Sequence, residues 1–103
     1  MARVVVSAPA NSDILDILDY LASKAGYATA ERYANALKAA YRRLSEFPGS
    51  GSPRTALGER VRIVPILPFV VIYEHANDTV TILRVLHGKR DITQDLVKQR
   101  SGL

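Results

Sequence analysis

Phe69-Val70-Val71-Ile72-Tyr73 is an unbroken apolar and aromatic run, the pattern of a central strand. Ala76-Asn77-Asp78-Thr79 follows, a turn whose Asx residues tolerate the tight backbone. Val80-Thr81-Ile82-Leu83-Arg84-Val85-Leu86 then reads as another strand, rich in β-branched residues. Upstream, Arg60-Val61-Arg62-Ile63-Val64 is apolar at every second position, as a half-buried strand is, and Leu67-Pro68 marks a break. Connections this short join antiparallel neighbours, so the second half reads as a three-stranded meander.

The first half has a different period. Ile14, Leu15, Ile17, Leu18, Leu21 and Ala22 recur at spacings of three and four, which predicts an amphipathic helix. Ser7-Ala8-Pro9 starts it and Gly26 ends it. Asp13, Asp16 and Asp19 fall on one face and read as a solvated helix start, which the macrodipole favours, before a metal site. A second helix begins a few residues later, with Thr29 as N-cap and Glu31 in the first turn. Its apolar face is Ala30, Tyr33, Ala34, Leu37, Ala40, Tyr41, Leu44 and Phe47, and Pro48 and Gly49 stop it. So short a connection implies an antiparallel αα-hairpin. Val4-Val5-Val6 predicts a short first strand that joins the sheet across this hairpin. Residues 48–59 read as a loop, and residues 91–98 as a short helix with Ile92, Leu96 and Val97 on its apolar side. The order is β-α-α-β-β-β. It predicts an α+β fold, an antiparallel sheet with the hairpin packed on one face, as one domain over residues 1–103.

Composition narrows the classes. The 103 residues suit one small domain, and 48% hydrophobic with 23% charged residues is ordinary for a folded chain. No cysteine is present, which excludes a disulfide scaffold and cysteine-based metal sites and fits a reducing cytoplasm. Met1-Ala2-Arg3-Val4-Val5-Val6 lacks the apolar length of a signal peptide, and no run approaches the ~20 residues of a membrane span. A cytoplasmic protein is expected. The formal charge of +4 is mild and suits an ordinary basic surface. It also suits an acidic partner, either nucleic acid or an acidic protein segment, because Arg54, Arg60, Arg62, Arg84, Lys89, Arg90, Lys98 and Arg100 gather late in the chain.

Catalytic constellations are scarce. His75 and His87 stand at no familiar metal spacing, and neither a phosphate-binding loop nor a Gly-x-Ser-x-Gly elbow occurs. No cofactor or metal is expected. His87-Gly88-Lys89-Arg90-Asp91 is the densest polar cluster. A histidine there suits general acid–base work and the arginines suit phosphate. The residues alone favour a structural reading instead, with Gly88 supplying a turn, Arg90 and Asp91 bracing the tail and His87 satisfying a hydrogen bond. Tyr20, Tyr33 and Tyr41 occupy apolar helix positions and read as core or interface.

Four segments, in order, resemble the ParE branch of the ParE/RelE toxin superfamily. They are Asp13-Ile14-Leu15-Asp16-Ile17-Leu18-Asp19-Tyr20-Leu21, the second helix with its exit Leu44-Ser45-Glu46-Phe47-Pro48, Phe69-Val70-Val71-Ile72-Tyr73, and Val80 through the ending His87-Gly88-Lys89-Arg90-Asp91. The resemblance implies a toxin of a type II toxin–antitoxin system, with a ParD-like antitoxin encoded nearby in a hetero-oligomeric complex. It implies DNA gyrase as target. RelE-type relatives instead cleave mRNA on the ribosome without metal, and in that role Arg62, Arg84 and His87 are the candidates. The tail after Asp91 offers Gln94, Lys98 and Gln99 but no aromatic or second histidine, which favours the non-catalytic branch. An inert relative that only binds antitoxin is the third reading. Tyr33, Leu37, Tyr41, Arg60, Arg62 and Arg90 are the antitoxin-binding candidates, and His87, Lys89 and Arg90 the target-binding ones.

Overall fold

Ser7 ends the first strand and starts the first helix. In the computed structural model, which describes residues 1–98, its hydroxyl accepts the Ala10 amide at 3.2 Å and donates to the Leu83 carbonyl at 3.1 Å. One side chain thus caps a helix and satisfies a strand edge. The elements are β1 (Arg3–Val6), α1 (Ala8–Ala25), α2 (Tyr27–Glu46), β2 (Ser52–Pro53), β3 (Val61–Ile66), β4 (Phe69–Ala76), β5 (Thr79–His87) and α3 (Gln94–Lys98). Gly26 serves both helices as the hinge, at φ 92°, a conformation that strains any residue with a side chain. Thr29 is therefore not an N-cap. It lies inside the first turn of α2, where its hydroxyl donates to Ala25 O and accepts from Arg32.

The five strands run in the order β1-β5-β4-β3-β2. β3, β4 and β5 form the expected antiparallel meander, and Asn77 and Asp78 supply the two positive φ angles (52° and 60°) of its last turn. β1 pairs with β5 in parallel, Arg3 opposite Thr79 through Val6 opposite Ile82. The sheet is therefore mixed, not antiparallel throughout. The Ala2 amide donates to Ser45 O at 2.8 Å, so the hairpin carries the chain from the end of β1 back to the end of the sheet where β1 begins. β3 then sets out in the direction of β1, and two tight turns later β5 runs parallel to it.

Both faces are covered. Val71, Tyr73, Val80, Ile82 and Val85 pack beneath Ala10, Ile17, Tyr33, Leu37 and Leu44 of the hairpin. Val61, Val70, Ile72 and Leu86 face the other way, where Val97 of α3 buries. The tail helix is thus the cover of a second, smaller core. Gln99 and Arg100 lie outside the described residues.

A register shift makes this possible. Ile72 faces Arg84 but Tyr73 faces Ile82, so Leu83 is an extra residue in β5. The bulge reverses the alternation, letting Ile82 and Val85 serve one core while Leu83 and Leu86 serve the other.

The loop of residues 48–59 is pinned from the sheet. The Tyr73 hydroxyl donates to Pro48 O at 2.7 Å and accepts the Gly51 amide at 2.9 Å. A Cβ on Gly51 would stand 2.7 Å from the Tyr73 ring and hydroxyl. Tyr73→Phe is expected to cost about 2 kcal/mol, because it leaves the buried Gly51 amide without its acceptor. Gly51→Ala is expected to cost about 2 kcal/mol by overpacking. Urea unfolding reads both, and wild-type midpoints for the pair would refute this account of the loop.

Candidate functional site

Arg84, in β5, is 8% exposed overall and faces Asp13 of α1. Its Nε donates to Asp13 Oδ2 at 2.6 Å and its Nη2 to Oδ1 at 2.8 Å, a bidentate ion pair, while Nη1 donates to Leu96 O at 2.8 Å. Asp13 Oδ2 also accepts the Val85 amide at 3.1 Å. That amide lies on the edge of β5 that β1, ending at Val6, leaves uncovered. The hydrogen bonds to Asp13 hold the Arg84 guanidinium's pKa above its ordinary value despite burial. Asp13 is therefore not part of a solvated helix start, nor is it in the first turn. Asp16 and Asp19 are exposed.

Arg62, opposite Tyr73 in β3, is also engaged. Its Nη1 donates to Gly49 O at 3.1 Å and Gly51 O at 2.8 Å, bracing the same loop as Tyr73. Residues directly opposite in antiparallel strands share a face. Arg62 therefore lies with Tyr73 on the hairpin side and Arg84 with Ile72 on the α3 side. The two arginines and His87 do not converge on one site.

His87 closes β5 in the open. Its ring packs edge-on against Phe69 at 5.5 Å between centroids, and Nδ1 accepts the Lys89 amide at 3.1 Å. In the neutral ring that bond leaves the proton on Nε2. Lys89 and Arg90 are exposed, and neither is paired with a carboxylate among the described residues.

Tyr33 and Leu37 are packed into the hairpin-side core, at 8% and 3% exposure, and Tyr33 meets Phe69 edge-on at 5.3 Å. Neither can serve a partner while the fold is intact. Tyr41 is half-buried beside them. Burial raises the phenol pKa of both tyrosines, with Tyr41 adding to the effect at Tyr33. Their hydroxyls have no partner among the described residues. Arg60 is exposed on the approach to β3.

The accessible side of α2 is the stripe beside that core. Ala36, Ala39, Ala40 and Arg43 line a groove of about 500 Å³ against Val64, Pro65 and Ile66 of β3. β2 covers only Arg62 and Ile63, so this stretch of β3 is a free sheet edge. The i, i+3, i+4, i+7 spacing of these residues was the available signal, but it sits next to the larger tyrosine and leucine stripe and is masked by it. Among the described residues no helix is long and apolar enough to cross a membrane, and no His/Cys/Asp/Glu group could hold a metal.

A family model for the ParE toxin of the type II toxin–antitoxin system parDE matches residues 4–92. The chain belongs to this family. Among curated relatives of this ParE-family toxin is Toxin ParE3 of Caulobacter vibrioides, 28% identical over 99 residues, covering 96% of this chain and 99% of the relative. Toxin RelE2 of the same organism is 37% identical over 90 residues, covering 87% and 99%. The fold matches a solved structure titled as a chromosomal ParDE toxin–antitoxin system from P. aeruginosa, with TM-score 0.70 and 19% identity over 84% of this chain and 96% of that one.

Asp13→Ala in this ParE-family toxin leaves Arg84 charged and nearly buried, and is expected to cost about 3–5 kcal/mol. Asp13→Leu with Arg84→Met removes both charges and should recover most of that loss. Chemical denaturation of the three proteins checks this, and a harmless single substitution would overturn it.

Proposed function

We propose that this toxin arrests growth by binding and poisoning DNA gyrase, and that a cognate ParD-like antitoxin encoded nearby silences it in a hetero-oligomeric complex. The observation that carries this reading is the disposition of Arg62 and Arg84. Each is occupied by protein acceptors, and they lie on opposite faces of the sheet. Phosphodiester cleavage without metal needs cations and a proton carrier gathered around one phosphate. A surface of exposed His87, Lys89 and Arg90 suits recognition of a protein instead. The toxin is thus read as an inhibitor without catalysis of its own.

The second reading is a RelE-like, ribosome-dependent mRNA endoribonuclease. It draws on the 37% identity to Toxin RelE2 and on the outward Nε2 of His87. The deciding experiment uses purified toxin released from its antitoxin in a gyrase supercoiling assay and in a ribosome-dependent mRNA cleavage assay. Inhibited supercoiling with intact mRNA is expected. Cleaved mRNA with normal supercoiling would transfer the function to the nuclease, with His87→Ala then abolishing cleavage.

The antitoxin's seat is read as the groove between α2 and the free edge of β3. Small side chains admit a close-packed helix or strand, and an open edge offers backbone hydrogen bonds. Arg43 within the groove favours an acidic segment, and Arg60, exposed on the approach to β3, is a second candidate contact for it. Arg62, bound to the loop, is a poor test of charge. Ala39→Glu with Arg60→Glu, both exposed, is expected to raise the antitoxin Kd about tenfold or more. An unchanged Kd by calorimetry would remove the groove from the interface.

A further inference from the structure

On the α1 side of the hairpin a second concavity opens, away from the groove along α2. It holds about 410 Å³. Ile17, Tyr20 and Leu21 of α1 form one wall, and Pro68, Phe69 and His87 at the end of the sheet form the other. Its base is core, since Ile17 and Phe69 are each 8% exposed. Its mouth is not: Tyr20 is 59% exposed, and Leu67, next to Pro68, is 81% exposed. Large apolar side chains left in water around a preformed apolar recess are the anatomy of an anchor pocket at a protein interface.

Charge of both signs lies at or next to the cleft. Asp16 is part of the α1 wall, while Lys89 and Arg90 follow the lining residue His87 in the chain, exposed and unpaired among the described residues. Asp91 comes next in the chain and offsets part of that positive charge without pairing to it. A segment lying across the recess is therefore oriented. Its hydrogen-bond donors meet Asp16 and its carboxylate meets Lys89 and Arg90. The His87 ring is held by its Nδ1 bond and by Phe69, so its Nε2–H is a fixed donor at the wall.

We infer that this cleft takes an aromatic or branched aliphatic side chain of the toxin's target protein, on a segment whose carboxylate is held at Lys89 and Arg90. The inference rests on the reading of the chain as a protein-binding toxin and adds α1 to the target surface. The occupant is the target and not the antitoxin because the cleft is continuous with the His87–Arg90 surface, whereas the α2 groove lies on the other flank of the hairpin.

The test uses two variants of exposed residues, which preserve the core. Tyr20→Ala removes one wall, and Asp16→Arg reverses the charge on it. Each is compared with wild type for growth arrest on induction, for the toxin concentration that half-inhibits purified gyrase, and for antitoxin Kd. Both variants are expected to relieve arrest and to raise the half-inhibitory concentration about tenfold or more, with antitoxin Kd as in wild type. Wild-type potency in both variants would overturn the inference. So would a parallel loss of antitoxin affinity, which would give the cleft to the antitoxin. If wild-type toxin arrests growth without inhibiting gyrase, the gyrase reading alone falls, and arrest by the two variants still decides the cleft. A wild-type toxin that does not arrest growth would end both.

Discussion

The ion pair between Asp13 and Arg84 is the constraint on which the arrangement of elements depends. It joins α1 to β5, and through Leu96 O it joins both to α3. Asp13 also accepts the Val85 amide, an edge group that β1 is too short to cover. Two nearly buried charges are tolerated because the guanidinium and the carboxylate both find further partners. The bulge at Leu83 sets the register that brings Arg84 there while Val85 still points into the hairpin core.

That constraint bears on function by exclusion. Arg84 looks, as a residue type, like a phosphate-binding group, and its location in the last strand suits one. Its donors are spent inside the protein. Arg62 is likewise spent on the carbonyls of Gly49 and Gly51. Lys89 and Arg90, just after the last strand ends, still face solvent. Exposed cations at that end of the molecule suit recognition of an anionic or dipolar surface, as the proposed function requires.

A second pinning point governs the α2 flank. Tyr73 passes from the central strand to the loop of residues 48–59, and Gly51 lacks a side chain so that the hydroxyl can reach its amide. The loop then supplies the two-residue strand β2, which protects only the first part of the β3 edge. The rest of that edge lies open beside a helix face of alanines. A free edge on a sheet is a liability unless something pairs with it, and an obligate partner is one way to meet that need.

Much of this was legible in residue order. Periodicity located both helices, Asn77-Asp78 marked the turn, and the meander followed from short connections. The His-Gly-Lys-Arg-Asp ending, together with the three other segments, pointed to the family. Local signals were sufficient there because each depends on neighbours within a few residues. Four features were not legible: the parallel pairing of β1, the burial of Asp13, the bulge at Leu83 and the removal of Tyr33 and Leu37 from the surface. Each depends on a contact between residues far apart in sequence, such as the 71 positions between Asp13 and Arg84. The sequence by itself determined the elements, their order and the family, because these are set by local conformational preference and by motif. Only the tertiary structure decided which charged and aromatic side chains are spent in holding the fold and which face a partner, because that depends on which atoms are brought within hydrogen-bonding distance.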